Sequence, residues 1–523
     1  MTDRQVRGWL IALVWGAAVL SVIGLGRPSL WIDETHSFEF ASLPSLPLVL
    51  LNAAARDAYP PVYFLLLHAW MWLGASEVWL RLFSVLAHLA SIPMIYLVAS
   101  RLLSRREGLV AAALLAASPF HLAFAREARM YPLVGLLALG SMWGLLAWLQ
   151  DGSRRGYAVF VAAGLALLWA HYIGALLLVA QAGILWWGGW KRRDLKGGTA
   201  LWIAITVAGF LPWSPFFLKA LATTHGYGAE APVSRLAFWF LGALGAGFGQ
   251  TPLVLSLAAL TVLVLALRGL LSCPAGGVRS TLAWWAGLPV GLELLSALLG
   301  KPVFGERTLI VATPAWLILI ACALERATRW ERVAGAVLVA GLAVQSHVRL
   351  FSVGLPEAPS AREALAAVLA AAKPGDVIVH SATTTYHPVH EYYLPRSGST
   401  VEDFLIEPQG GFRGGRLGNA FRDAWRSVKA RLDPVGAIHT GQDPNRITEE
   451  EFLRHRFRRV WYLRTDLDGA RRQWYVIPSV YYPAPADRVR EIPFSSHPRL
   501  ARAYGGAQVA SYPGLIVELY RRR

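Results

Sequence analysis

The stretch Ser29-Leu30-Trp31-Ile32-Asp33-Glu34-Thr35-His36 sets two adjacent carboxylates directly after the first long apolar run, residues 7–26. A run of about 20 apolar residues is long enough to cross a hydrocarbon core. Asp33 and Glu34 therefore stand where a membrane helix ends and a water-facing loop begins. On these residues alone two readings stay open. The pair is an ordinary polar helix terminus, or it is a base that takes a proton from a hydroxyl while a lipid-linked substrate lies in the bilayer beside it.

Outward from this point, apolar runs recur to about residue 350. The chain is 55% hydrophobic and only 16% charged, against roughly a quarter charged in soluble domains. This describes a polytopic α-helical membrane protein. The charged start of residues 7–26 resembles a signal peptide, but Gly24-Leu25-Gly26-Arg27 is a poor small-residue cleavage site, so the run reads as an uncleaved first helix. The net charge of +17 does not indicate nucleic acid. Basic residues gather in short loops: Arg101/Arg105/Arg106, Arg154/Arg155, Lys191/Arg192/Arg193/Lys196, Arg268/Arg279 and Arg326/Arg329/Arg332. That is the distribution of cytoplasmic loops.

Spans are expected near 7–26, 79–99, 107–121, 131–150, 157–174, 175–190, 199–218, 251–271, 281–299, 305–325 and 331–349. About eleven crossings from a cytoplasmic N-terminus leave all the basic loops inside and the C-terminus outside. Two further apolar stretches, 60–75 and 236–249, read as interfacial or re-entrant, because counting either alone as a span would invert every later basic loop. Residues 1–350 thus form a transmembrane domain and 351–523 an extracytoplasmic soluble α/β domain. In the latter, Ala361–Ala372, Asn419–Leu432 and Thr448–His455 read as helices, and Asp376–His380, Arg459–Leu463 and Leu515–Tyr520 as strands. Cys273 falls in a cytoplasmic loop and Cys322 in an apolar helix, so no disulfide is expected.

The outward-facing loops carry the unusual residues. The first holds Asp33, Glu34, His36, Glu39 and the run Tyr59-Pro60-Pro61-Val62-Tyr63. The second reads Ala125-Arg126-Glu127-Ala128-Arg129-Met130-Tyr131. The loop before the tenth span reads Lys301-Pro302-Val303-Phe304-Gly305-Glu306-Arg307. Arginines at helix ends often only snorkel to headgroups, and His171-Tyr172 reads as an interfacial anchor. His68 and His88 read as core histidines. Arg81, inside a span, is costly unless paired, and Glu77 one turn earlier is its expected partner. Acids are scarce at mid-span, Glu293 excepted, which argues against transport through broken helices. No His-x-x-x-His or Cys-x-x-Cys occurs. Asp466-Leu467-Asp468 reads as a turn. No metal and no cofactor are expected.

The segments Trp31-Ile32-Asp33-Glu34, Tyr59-Pro60-Pro61-Val62-Tyr63-Phe64, Ala125–Tyr131 and Phe304-Gly305-Glu306-Arg307-Thr308-Leu309 followed by Pro314 carry a resemblance in order and spacing. The chain resembles the integral-membrane glycosyltransferases of the C-type fold, in the branch of protein O-mannosyltransferases and the aminoarabinose transferase acting on lipid A. The resemblance implies inverting transfer of a sugar from a polyprenyl-phosphate donor, itself the lipid-borne substrate, to a lipid, glycan or protein hydroxyl. It implies Asp33, with Glu34 beside it, as general base and Glu127 as its helper. It implies Arg307, with Arg126 or Arg129, as phosphate contacts. Tyr59, Tyr131 and Lys301 join the candidate substrate-binding residues. Some family members have Lys or His where this chain has Tyr59, which puts one phosphate contact in doubt. The expected location is a bacterial inner membrane. A lipid or sugar transporter is the alternative reading.

Overall fold

The structure is a computed structural model. It describes the chain apart from residues 56–58, 190–192, 224–232, 300–305, 354–359, 381–382, 407–445, 448, 456, 458, 466–497, 513–514 and 523.

Helix α1 (Asp3–Val22) starts at a reciprocal cap. The Thr2 hydroxyl accepts from the Gln5 N–H, and the Gln5 side chain accepts from the Thr2 N–H. Trp9, Ile11, Trp15 and Val19 remain exposed along it, as a lipid-facing surface requires. Next come α2 (Ile32–Ala41), α3 (Leu46–Ala55) and α4 (Val62–Met71), which build the first loop. The bundle continues with α5 (Glu77–Leu102), α6 (Arg105–Ala116), α7 (Pro119–Ala125), α8 (Tyr131–Asp151), α9 (Arg154–Ala170) and α10 (Gly174–Gly189). It closes with α11 (Arg193–Phe210), α12 (Ser214–Thr223), α13 (Val233–Ala246), α14 (Pro252–Ser272), α15 (Gly277–Leu298), α16 (Thr313–Glu325) and α17 (Arg329–Val353).

Among the described residues, seven helical stretches are long and apolar enough to cross a membrane, or eight when the pair α6–α7, bent by 54°, counts as one. The bend has a local cause. Ser118 caps α7 through its hydroxyl, and Pro119 behind it has no N–H to continue the ladder of α6. The expected eleven spans are therefore not all met by length. Three of them fall on α9, α10 and α16, of 17, 16 and 13 residues. The 305–325 run is divided because Glu306–Val311 forms a 3₁₀ helix before Pro314 opens α16. The stretches 60–75 and 236–249 do form short helices, α4 and α13. At 10 residues, α4 would reach only about 15 Å.

Close helix contact rests on glycine at defined points. A Cβ on Gly269 of α14 would stand 1.9 Å from the Leu319 carbonyl oxygen of α16, so only a residue without one lets these backbones approach. Ion pairs Asp3–Arg105, Arg101–Asp151, Glu107–Arg326 and Arg268–Glu331 gather at the end of the bundle remote from α2. They place several of the basic loops on one side. Cys273 and Cys322 are both buried free thiols.

Beyond α17, α18 (Ala361–Ala371) and α19 (Thr383–His387) accompany a six-stranded sheet. Its strands are β1 (Val377–His380), β2 (Glu402–Ile406), β3 (Arg446–Ile447), β4 (Arg459–Thr465), β5 (Tyr504–Tyr512) and β6 (Leu515–Arg522), in the order β3-β2-β1-β4-β6-β5. The pairings of β1 with β2 and β4 are parallel, and β6 runs antiparallel to β4 and β5. Alternation divides the sheet. Ile378, Trp461, Leu463 and Val517 join the main core, while Val377, Val379, Val460 and Tyr462 face Phe452 and Leu500. The expected strands at 376–380, 459–463 and 515–520 and the helix near 448–455 (Glu449–Arg454) are present. Asn419–Leu432, Asp466-Leu467-Asp468 and Lys301 lie outside the described residues.

The C-terminal unit docks on α2 through the helical stretch 383–397, which widens to a π turn at Pro388–Tyr393. Tyr393 donates its hydroxyl to Glu77 and accepts from the Leu30 N–H at 2.7 Å. Phe38 meets Tyr392 edge to face at 5.1 Å. Arg362 of α18 binds Glu77 and the carbonyls of Gly26 and Arg27.

Candidate active site

Glu34 and Arg81 form the framework. Arg81 Nε and one terminal nitrogen donate to the two Glu34 oxygens at 2.7 Å each. Its other hydrogens go to the carbonyls of Leu25, Pro28 and Ser29. The two side chains are only 2% and 1% exposed. Glu34 also accepts from the backbone N–H groups of Ala128 and Trp31, so one carboxylate ties together α5, the α1–α2 connection and the 126–130 loop. The expected pairing of Arg81 with Glu77 is corrected here. Glu77 turns instead to Arg362 and Tyr393, and the deeper Arg81 takes the acid that the loop folds over it.

Asp33, on the same first turn of α2, points elsewhere. It stands 3.0 Å from Arg307 and 3.7 Å from Arg129 and retains 23% of its side-chain exposure. Arg307 enters from the 3₁₀ helix Glu306–Val311. Arg129 enters from the 126–130 loop, where it also donates to the Asp33 carbonyl and the Ser37 hydroxyl. Both guanidiniums lie on aromatic faces, Arg129 5.2 Å from the Tyr59 ring centre and Arg307 5.7 Å from that of Tyr131. His171 lies 5.3 Å from Tyr59 and 5.9 Å from Tyr131. Burial pushes the Asp33 carboxyl up, but Arg129, Arg307 and His36 outweigh it and hold the group below the usual carboxylate range.

Of the residues singled out in the sequence, Asp33, Arg129, Arg307, Tyr59 and Tyr131 thus converge. Arg126 does not join their contacts. It donates to the carbonyls of Leu20, Ser21 and Ile23, closing the C-terminal end of α1, and lies over Phe351. Glu127 is buried at 3% exposure in the 126–130 loop. Sequence reasoning took His171 for an anchor; a histidine at an outer helix end gives no sign of the two tyrosines it meets. Glu293 accepts from the Thr308 hydroxyl at 2.9 Å, next to Arg307 in sequence. His68 bonds the Ala41 carbonyl at 2.8 Å, as a core histidine does.

The whole chain superposes on known folds. ArnT from Cupriavidus metallidurans bound to undecaprenyl phosphate matches with a TM-score of 0.58 at 15% identity, over 98% of each chain. The chain has the C-type fold of the integral-membrane glycosyltransferases. The apo state of the same ArnT matches this glycosyltransferase fold with a TM-score of 0.59 at 14% identity, again over 98% of each chain. The archaeal oligosaccharyltransferase AglB from Archaeoglobus fulgidus, in complex with an inhibitory peptide and a dolichol-phosphate, matches at 12% identity over 96% of this chain and 74% of that one, with a TM-score of 0.50. Residues 58–216 match the family model described as dolichyl-phosphate-mannose-protein mannosyltransferase. That segment contains Tyr59, Arg129, Tyr131 and His171, while Asp33 and Arg307 fall on either side of it. No curated protein sequence matches.

Proposed function

We propose that this chain transfers a sugar from a polyprenyl-phosphate donor to an acceptor hydroxyl at the extracytoplasmic face of a bacterial inner membrane, with inversion at the anomeric carbon. The observation that carries the reading is the meeting of one partly exposed carboxylate, Asp33, with two arginines at the end of the bundle remote from the basic loops. The solved relatives supply support of a general kind, since one is described with undecaprenyl phosphate and another with a dolichol-phosphate. Eleven crossings, with α9, α10 and α16 completing the count and the C-terminal α/β unit outside, belong to the same proposal.

The chemistry follows from the electrostatics. An acceptor hydroxyl is a weak nucleophile, and a positioned carboxylate that takes its proton contributes about 10²–10⁴-fold. Asp33 between two guanidiniums is a poor base. A donor phosphate is a competing anion for Arg129 and Arg307, and the planar guanidinium suits it. When the phosphate draws these cations toward itself, Asp33 loses its counter-charges and becomes more basic at the moment the donor is seated. The same arginines then stabilise the charge that grows on the phosphate as the glycosidic bond breaks. Donor binding thus switches on the base, and one base with no covalent intermediate gives inversion. Arg126, holding the α1 end, is left out of this mechanism, and Glu34 serves to place Asp33.

The test is transfer from a panel of labelled polyprenyl-phosphate sugars, using membranes with wild type or Asp33→Asn at equal protein level. Loss of transfer in the variant supports the reading. Equal transfer by both removes Asp33 as base. Flipping of the same lipids without transfer would favour the transporter.

A further inference from the structure

Beside the arginine cluster, His36, Glu39 and His387 meet where α2 touches the C-terminal unit. One ligating atom from each, two imidazole nitrogens and a carboxylate oxygen, all lie within 4.8 Å of one another. His36 and Glu39 are three residues apart on α2, so they share a helix face. His387 is the last residue of α19 and approaches from the other side. Glu39 and His387 are 7% and 5% exposed, and His36 is half-buried. The two imidazoles meet edge to face at 75° with centres 4.6 Å apart.

We propose that His36, Glu39 and His387 bind one borderline divalent transition-metal ion, zinc being the type case, and that this ion fastens the C-terminal unit to the helix that carries Asp33. The donor set decides the class of ion. Two imidazoles and one carboxylate suit zinc and its neighbours, whereas magnesium and calcium take oxygen ligands almost throughout. The geometry is near what the ion needs. Ligands about 2.0–2.2 Å from a tetrahedral zinc stand about 3.3–3.6 Å from each other, and small side-chain rotations bring atoms already within 4.8 Å to that spacing. Three protein ligands leave a fourth position for water. The consequence for the site is mechanical. Asp33 and His36 are also three residues apart on one face of α2, so a cross-link at His36 and Glu39 fixes the orientation of the turn that presents Asp33. The polar seam formed by Tyr393, Arg362 and Glu77 guards the same joint at its other end.

The test uses the tag-free full-length protein in detergent, stripped with EDTA, reloaded with excess zinc chloride, desalted and assayed for metal by mass spectrometry. It needs no sugar donor, so its outcome is independent of the transferase reading. Wild type is expected to retain about one zinc per chain, and His36→Ala and His387→Ala much less. Because an alanine variant can fail to fold, His387→Cys is added. Loaded with cobalt(II), it is expected to show a thiolate-to-cobalt charge-transfer band that wild type lacks. Wild type that holds no more zinc than the two alanine variants, or a cysteine variant without the band, would overturn the proposal and leave the three residues as a hydrogen-bonded seam.

Discussion

Arg81 reaches both oxygens of Glu34 at 2.7 Å, and this pair decides which of two adjacent acids is available for chemistry. Glu34 is occupied by Arg81 and by the backbone N–H groups of Ala128 and Trp31, and Asp33 is turned toward Arg307 and Arg129. The pair is fully buried, so loss of one member strands a charge. Arg81→Met or Glu34→Leu is expected to cost about 3–5 kcal/mol, read as a lowered unfolding temperature in detergent and reduced protein level. The double variant should recover much of that loss, because neither charge is then left alone. Additive destabilisation in the double variant would count against the pair as a framework.

Asp33 sits below the usual carboxylate range in the free protein, its burial outweighed by Arg129, Arg307 and His36. For a depressed carboxyl the favourable pairing is fully present above the unfolded pKa of about 3.9 and is lost as pH falls through the lower folded value. The acid limb of kcat/KM, which reports the free enzyme, should accordingly lie below about pH 4. Arg307→Gln should move that limb upward and weaken donor use. An unmoved limb would mean that another group sets it.

Arg126 and Arg129, three residues apart, should separate cleanly. Arg126→Ala removes the donor to three carbonyls at the end of α1 and is expected to lower the unfolding temperature with little change in KM for the donor. Arg129→Gln leaves α1 capped but removes a guanidinium beside Asp33, and should reduce kcat/KM about 10–100-fold, the scale of a charged hydrogen bond. Steady-state kinetics and thermal unfolding on both variants give the comparison. The reverse assignment of effects would return Arg126 to the site.

In the C-terminal unit, Asp403 lies 2.8 Å from His390 and 3.3 Å from His380. Burial raises its carboxyl, yet hydrogen bonds and charge from both histidines bring it down to about 2. Its contribution to stability is therefore present above about pH 3.9 and disappears as pH drops toward 2. Asp403→Asn should lower the unfolding temperature near neutral pH and flatten its decline between pH 4 and about 2. A decline as steep in the variant as in wild type would assign the acid sensitivity elsewhere.

Tyr393→Phe deletes the hydroxyl that serves both Glu77 and the buried Leu30 N–H. The unsatisfied groups should cost about 1–3 kcal/mol, read as a lowered unfolding temperature in detergent. An unchanged unfolding temperature would show that Arg362 holds the joint without it.

The sequence by itself determined the membrane class, the candidate loops and three of the six described strands of the α/β unit, because these depend on local pattern. Apolar run length marks a bilayer crossing wherever the run lies, and strands such as Val377-Ile378-Val379-His380 are recognisable by their own hydrophobicity. The convergence of Asp33, Arg129 and Arg307 was legible only as three charged outer loops. Tertiary structure alone decided the partners. Asp33 and Glu34 are chemically near-identical neighbours, and only packing shows that Arg81 takes one and leaves the other. Arg126 and Arg129 look equivalent on a helical turn, yet the end of α1 claims the first. Spacing rules could not find His36, Glu39 and His387 as one cluster, because the third member comes from the far end of the chain. Contacts between residues hundreds of positions apart leave no local periodicity to read, and the fold that brings them together is set by the whole core.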